Sequence, residues 1–214
     1  MANKFKKVNK QGPGKKQKDD TTLRTVLGLA AVAIVALIVF FVYDSGSSQQ
    51  QPATQAPAQQ SQGLASYQQA VQSAEQAAQA NPNDFSSEAA LGNAYYDLAA
   101  AYRNANDDAN TKANFAKAVT AYQKALAKKF DIGAQTDMAT AAFYSDQPDV
   151  ADAGFKKAIA QQPDYWNARV NYGIFLENVK GDKAGAKEQF QYVVANCKDA
   201  AQVQTAKSLL QNVQ

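Results

Sequence analysis

The 214-residue sequence predicts an all-α protein: a single transmembrane helix near the N-terminus, a disordered linker, and an α-solenoid of about three repeats plus flanking helices. Three observations predict it. One is a 19-residue run without charge, the second a linker with no residue able to build a core, and the third an apolar pattern that recurs every 33 to 35 residues.

Composition first removes most chemistry. Histidine is absent and cysteine occurs once, at Cys197. There is thus no Ser-His or Cys-His nucleophile pair, no imidazole metal ligand, no thiolate zinc cluster and no internal disulfide. No Gly-rich phosphate loop is present, and the carboxylates are scattered singly. The expectation is a protein that is not an enzyme and takes no cofactor or metal.

Residues 1–24 form a basic tail, with eight Lys or Arg against Asp19 and Asp20, a net +6. Residues 64–214 carry 14 basic and 16 acidic side chains, so the overall +3 belongs to the tail. A basic stripe on a folded surface would suggest nucleic acid. Here the positive charge abuts an apolar run, which points to a membrane and not to nucleic acid.

That run is Thr25 to Tyr43, bounded by Arg24 and Asp44. As a helix it would cover about 28 Å, close to the ~30 Å of a hydrocarbon core. Twelve of its residues are Leu, Ile, Val or Phe, which favour insertion by about 4–7 kcal/mol. A cleavable signal would have a shorter core and a small-x-small site. Phe40-Phe41-Val42-Tyr43-Asp44 offers no such site, so the expectation is a retained single-pass anchor. The positive-inside rule puts the N-terminus in the cytoplasm and the rest outside, at the plasma membrane.

Residues 44–63 read as a Ser/Gln/Pro/Ala linker. After Asp44 it has no charged, aromatic or branched aliphatic side chain, so it cannot offset its chain entropy by burial and should be disordered.

Residues 64–214 are Ala-rich with period-3.6 patterning, which predicts helices throughout. A triplet recurs as Ala118-Tyr122-Ala125, Ala151-Phe155-Ala158 and Ala186-Phe190-Val193, with a degenerate copy at Ala70-Ala74-Ala77. Positions i, i+4 and i+7 share one helix face. Upstream partner helices carry Leu91-Gly92-x-x-Tyr95, Met138-Ala139-x-x-Ala142 and Tyr172-Gly173-x-x-Leu176, whose small residues allow close helix approach.

These spacings resemble the tetratricopeptide repeat family, a helix–turn–helix unit of about 34 residues. The resemblance covers about residues 64–196. It implies a lone second-type helix at 64–80, repeats near 85–130, 132–163 and 166–196, and a capping helix at about 199–213. Between Gly92 and Ala118 lie about 14 residues more than in the later repeats, which predicts a longer helix pair or an extended loop. The Asn/Asp run 104–110 lacks the central Gly and closing Glu of a calcium loop and reads as helix capping. Cys197 and Trp166 read as packing residues.

The family resemblance further implies a concave face lined by Asn93, Tyr96, Asp97, Thr140, Phe143, Tyr144 and Asn171. Family members that grip a terminal carboxylate use Lys, Asn and Arg there; this sequence has the asparagines without basic partners, so that clamp is expected to be absent. The implied function is a non-catalytic, membrane-anchored scaffold binding proteins or peptides outside the cytoplasm, as an accessory or chaperone-like factor near a secretion channel. The alternative is a structural assembly subunit of an envelope complex. No small-molecule substrate is expected in either case.

Overall fold

In the computed structural model residues 57–213 are described, with side chains from Gly63 onward. The basic tail, the apolar run 25–43 and the linker up to residue 56 lie outside the described residues. Among the described residues there is no strand, and no helix is long and apolar enough to cross a membrane.

The described residues form eight helices in order: α1 Pro57–Ala80, α2 Phe85–Asn104, α3 Asp108–Lys128, α4 Ile132–Tyr144, α5 Pro148–Gln161, α6 Trp166–Phe175, α7 Lys183–Asn196 and α8 Ala200–Asn212. α6 continues through a π-helical turn, Leu176–Lys180. The boundaries follow local chemistry. Asp84, Asp107, Asp131, Asp182 and Asp199 each accept backbone N–H bonds at a helix start, from Ser87, Asn110, Ala134, Gly185, and Ala201 with Gln202 respectively. Such caps satisfy donors that have no intrahelical partner, worth ~1 kcal/mol each. α5 instead opens on Pro148, whose missing N–H costs nothing at that position.

Helix start and linker disagree at one point. α1 begins at Pro57, so residues 57–63, expected to be disordered, are helical. Proline suits the first position of a helix, and the Ala and Gln that follow are good helix formers. Local propensity thus extends the helix beyond the part with apolar side chains.

Each helix packs against the next, giving the pairs α2–α3, α4–α5 and α6–α7, with α1 in front and α8 behind. The three intrapair turns are built alike. Asn106, Asp146 and Gly181 occupy the left-handed region, with φ of 57°, 58° and 65°. Gly adopts it freely, and Asn and Asp tolerate it best among the rest. The extra residues of the first unit form no loop. They lengthen both helices, to 20 and 21 residues, against 13 and 14 in α4 and α5. The Asn/Asp run supplies the turn, where Asp107 also takes a 2.7 Å bond from the Asn110 side-chain amide.

The recurring triplets form the core. Ala118, Tyr122, Ala125, Ala151, Phe155, Ala158, Ala186, Phe190 and Val193 are all essentially inaccessible to solvent. Their small partners are where two helices touch. A Cβ on Gly92 would lie 2.6 Å from the Tyr122 ring, and one on Gly173 would lie 2.7 Å from Cζ of Phe190. In the middle unit the roles are exchanged: a Cβ on Gly154 would lie 2.8 Å from Cβ of Ala139. Each full ring buried this way contributes roughly 1.5–3 kcal/mol.

α1 departs from the expected register. Ala70 and Ala77 are exposed, whereas Val71 and Ala78 are buried. The inward triplet is therefore Val71-Glu75-Ala78, with Glu75 half-buried, one residue later than Ala70-Ala74-Ala77. Glu75 takes the place of the ring and accepts a hydrogen bond from the Tyr95 hydroxyl. Val71 has a branched apolar side chain to bury and Ala70 only a methyl, so burial selects the Val71 face.

Candidate functional site

α2 approaches α4 directly, and α4 approaches α6. The first helix of each pair therefore belongs to an inner row, and the second helices stand behind it. The row presents a stripe of aromatic and short polar side chains.

An unbroken ladder of rings runs along this row. Tyr96 meets Phe115 edge-on at 5.1 Å, Phe115 stacks on Tyr144 at 5.1 Å, and Tyr144 stacks on Phe143 at 4.6 Å. Phe143 then meets Phe175 edge-on at 5.8 Å. Phe115 and Phe175 are fully buried, whereas Tyr96, Phe143 and Tyr144 are half-buried. The three predicted aromatics thus lean on buried rings and remain partly accessible, Tyr144 being stacked between Phe115 and Phe143. Aromatic pairs of this kind contribute ~0.5–1.5 kcal/mol beyond area burial, so these residues hold the fold as well as shaping the surface.

The polar positions divide. Asn93 is exposed, and its Oδ1 accepts a 2.7 Å bond from the Tyr122 hydroxyl, leaving its amide N–H groups outward. Thr140 is buried; it donates to Thr136 O at 2.9 Å and accepts from Nδ2 of Asn171 at 3.1 Å. That pair joins α4 to α6 and supports the face. Asp97 is exposed, one turn beyond Asn93 on the same side of α2.

Three residues absent from the sequence expectation belong here. Asp137 shares the α4 stripe with Thr140 and Tyr144, at spacings of three and seven. Burial pushes its carboxyl up to about 7, and the charges of Asp131 and Asp97 push the same way. Desolvation likewise raises the Asp97 carboxyl. The Tyr96 hydroxyl is raised by burial first and then by Asp137 and Tyr144. Asp137, Asp97 and Tyr96 therefore sit within electrostatic reach of one another, although α2 and α4 are far apart in sequence. Neither carboxylate has an ion-pair partner among the described residues. Arg103, seven residues past Tyr96, places its guanidinium 4.6 Å over the Tyr144 ring. Phe115, from α3, fills the gap between the two helices. Helical spacing alone flags Asp137 and Arg103; nothing local flags Phe115.

Among the described residues no group of three His, Cys, Asp or Glu side chains is placed to hold a metal. Cys197 is buried at the end of α7, where its N–H closes the helix on Val193 O. Trp166 lies 6.4 Å from Tyr192, whose other contact is the Arg169 guanidinium, 3.5 Å from the ring centre.

No protein-family model matches the chain, and no curated protein matches it in sequence.

Proposed function

We propose that this protein is a non-catalytic, membrane-anchored scaffold of the tetratricopeptide type. Its inner helix row binds proteins or peptides outside the cytoplasm. The observation that carries this reading is the face just described: Asn93, Tyr96, Asp97, Phe143 and Tyr144 are half-buried or exposed along adjacent helices. Half-exposed rings with fixed geometry supply contact area while losing little rotamer entropy on binding. The stacked pairs and their shared turn geometry support the repeat assignment, and the apolar run 25–43 behind a +6 tail supports the anchor and its orientation.

An accessory role close to a secretion channel, holding emerging chains, fits a short tether and an open face. Photo-crosslinking from Asn93 and Tyr96 in intact membranes tests it, with Lys187 on α7 as the control position. The expected result is a spread of unfolded clients captured at the inner row and little from Lys187. A single stoichiometric partner would instead identify an assembly subunit of an envelope complex. Equal capture from both faces would refute the inner row as the binding surface.

A further inference from the structure

We propose that the inner row selects an extended polypeptide segment carrying Lys or Arg, with the cationic head between Asp97 and Asp137 and adjoining apolar side chains against Tyr96, Phe143 and Tyr144. This deepens the scaffold reading and rests on it.

Charge complementarity argues for this occupant. Two carboxylates from adjacent helices, exposed Asp97 on α2 and half-buried Asp137 on α4, belong to one face, and no ion-pair partner offsets either of them among the described residues. Burial of Asp137, with the like charges of Asp131 and Asp97, disfavours its ionised form in the free protein. A cation delivered by a ligand would reverse both effects. The aromatic part of the face independently accepts such a group. Arg103 already lays its guanidinium 4.6 Å over Tyr144, while the accessible sides of Tyr96 and Phe143 lie along the same ladder. Guanidinium and ammonium groups are attracted to ring faces, more strongly where water is excluded. Arg103 lies over a ring of this face and pairs with neither carboxylate. Asn93, anchored through its Oδ1 by Tyr122, leaves amide donors free for the carbonyls of an extended backbone.

Full-length chain in non-ionic detergent micelles, titrated by fluorescence anisotropy with a labelled peptide alternating Arg and Leu, tests the proposal. Analogues with Gln or Glu in place of Arg complete the set. The Arg peptide should bind at least tenfold more tightly than the Gln peptide, with an affinity that falls as salt rises, and the Glu peptide should not bind. Combining Asp97→Asn with Asp137→Asn should abolish the preference for Arg over Gln; adsorption to micelles is common to both chains and cancels. Circular dichroism of that double variant should show an intact helical fold, since Asp97 is exposed and the Asp137 change removes a poorly solvated charge. Equal binding of the Arg and Gln peptides, or an unchanged preference in the double variant, overturns the cationic selection. If that happens while Tyr96→Ala weakens both peptides, the binding face itself survives. If Tyr96→Ala weakens neither, the face fails with it. Tighter binding of the Arg peptide after deletion of residues 2–24 would make the chain's own basic tail the occupant and overturn a separate partner.

Discussion

Replacing Gly173 by Ala tests the packing logic of the whole domain, because two well-calibrated effects act there with opposite signs. Ala is the better helix former by about 1 kcal/mol in a helix interior. Propensity alone therefore predicts stabilisation. The new methyl, however, would lie 2.7 Å from Cζ and 3.0 Å from Cδ1 of Phe190. Phe190 is completely buried, so its ring has no solvent to swing into. Overpacking a closed core costs about 1–3 kcal/mol, and contacts this short against a fixed ring belong at the upper end. The net expectation is destabilisation by about 2 kcal/mol, or a Tm about 4–8 °C lower for a domain of this size. Gly63→Ala is the matched control. It lies in α1 with no atom within 4 Å of the added methyl, so the propensity gain stands alone and Tm should rise by about 1–4 °C. Thermal melts of both variants by far-ultraviolet circular dichroism measure the two shifts. Phe190→Leu, which shortens the side chain, should remove part of the penalty of Gly173→Ala, giving a coupling of about 1–2 kcal/mol in a double-mutant cycle. A Gly173→Ala chain that melts higher than the parent, or a coupling of zero, would refute close helix contact as the reason for the glycine.

Asp137→Asn should stabilise the domain in a pH-dependent way. Burial pushes the folded carboxyl up to about 7, well above the ordinary aspartate range, so the parent is penalised once pH rises above the unfolded value, and fully so above the folded one. The gain should be absent near pH 3, grow between about pH 4 and 7, and reach about 1–3 kcal/mol at pH 8; urea titrations at those pH values measure it, and a gain independent of pH would contradict the desolvated placement. Deleting α8 from Asp199 onward should uncover the α7 surface that Ala206 and Leu209 bury and break the Gln202–Asn167 bond; a repeat array without its cap should melt at least ~5 °C lower and bind a hydrophobic dye. Ser47→Cys in a Cys197→Ser background should react with a membrane-impermeant maleimide in intact cells, and labelling only after lysis would reverse the orientation expected from the +6 tail.

The sequence by itself determined what depends on neighbours within two helical turns. Asp caps, Pro148, the Asn/Asp turn and the Ala-x3-aromatic-x2-small triplets set the helix boundaries and the buried face of α3, α5 and α7, because capping and period-3.6 burial are local properties. The small residues Gly92 and Gly173 were legible as contact points for the same reason. Where α1 turns its face was not legible. Ala70 and Val71 are adjacent, and the repeat spacing points to Ala70; the greater gain from burying Val71 turns the other face inward, where Glu75 meets the Tyr95 hydroxyl of α2. Between a longer helix pair and an extended loop in the first unit the sequence did not choose, since Ala-rich residues suit a helix or a tolerated insertion alike. The inner row shows the division most sharply. Asn93, Tyr96, Asp97, Phe143 and Tyr144 came from the helix positions that the repeat resemblance implies, but the electrostatic coupling of Asp97 to Asp137, and the wedging of Phe115 between Tyr96 and Tyr144, depend on how closely α2, α3 and α4 approach. Electrostatic and aromatic coupling act through space, so they come into being only when the chain is packed.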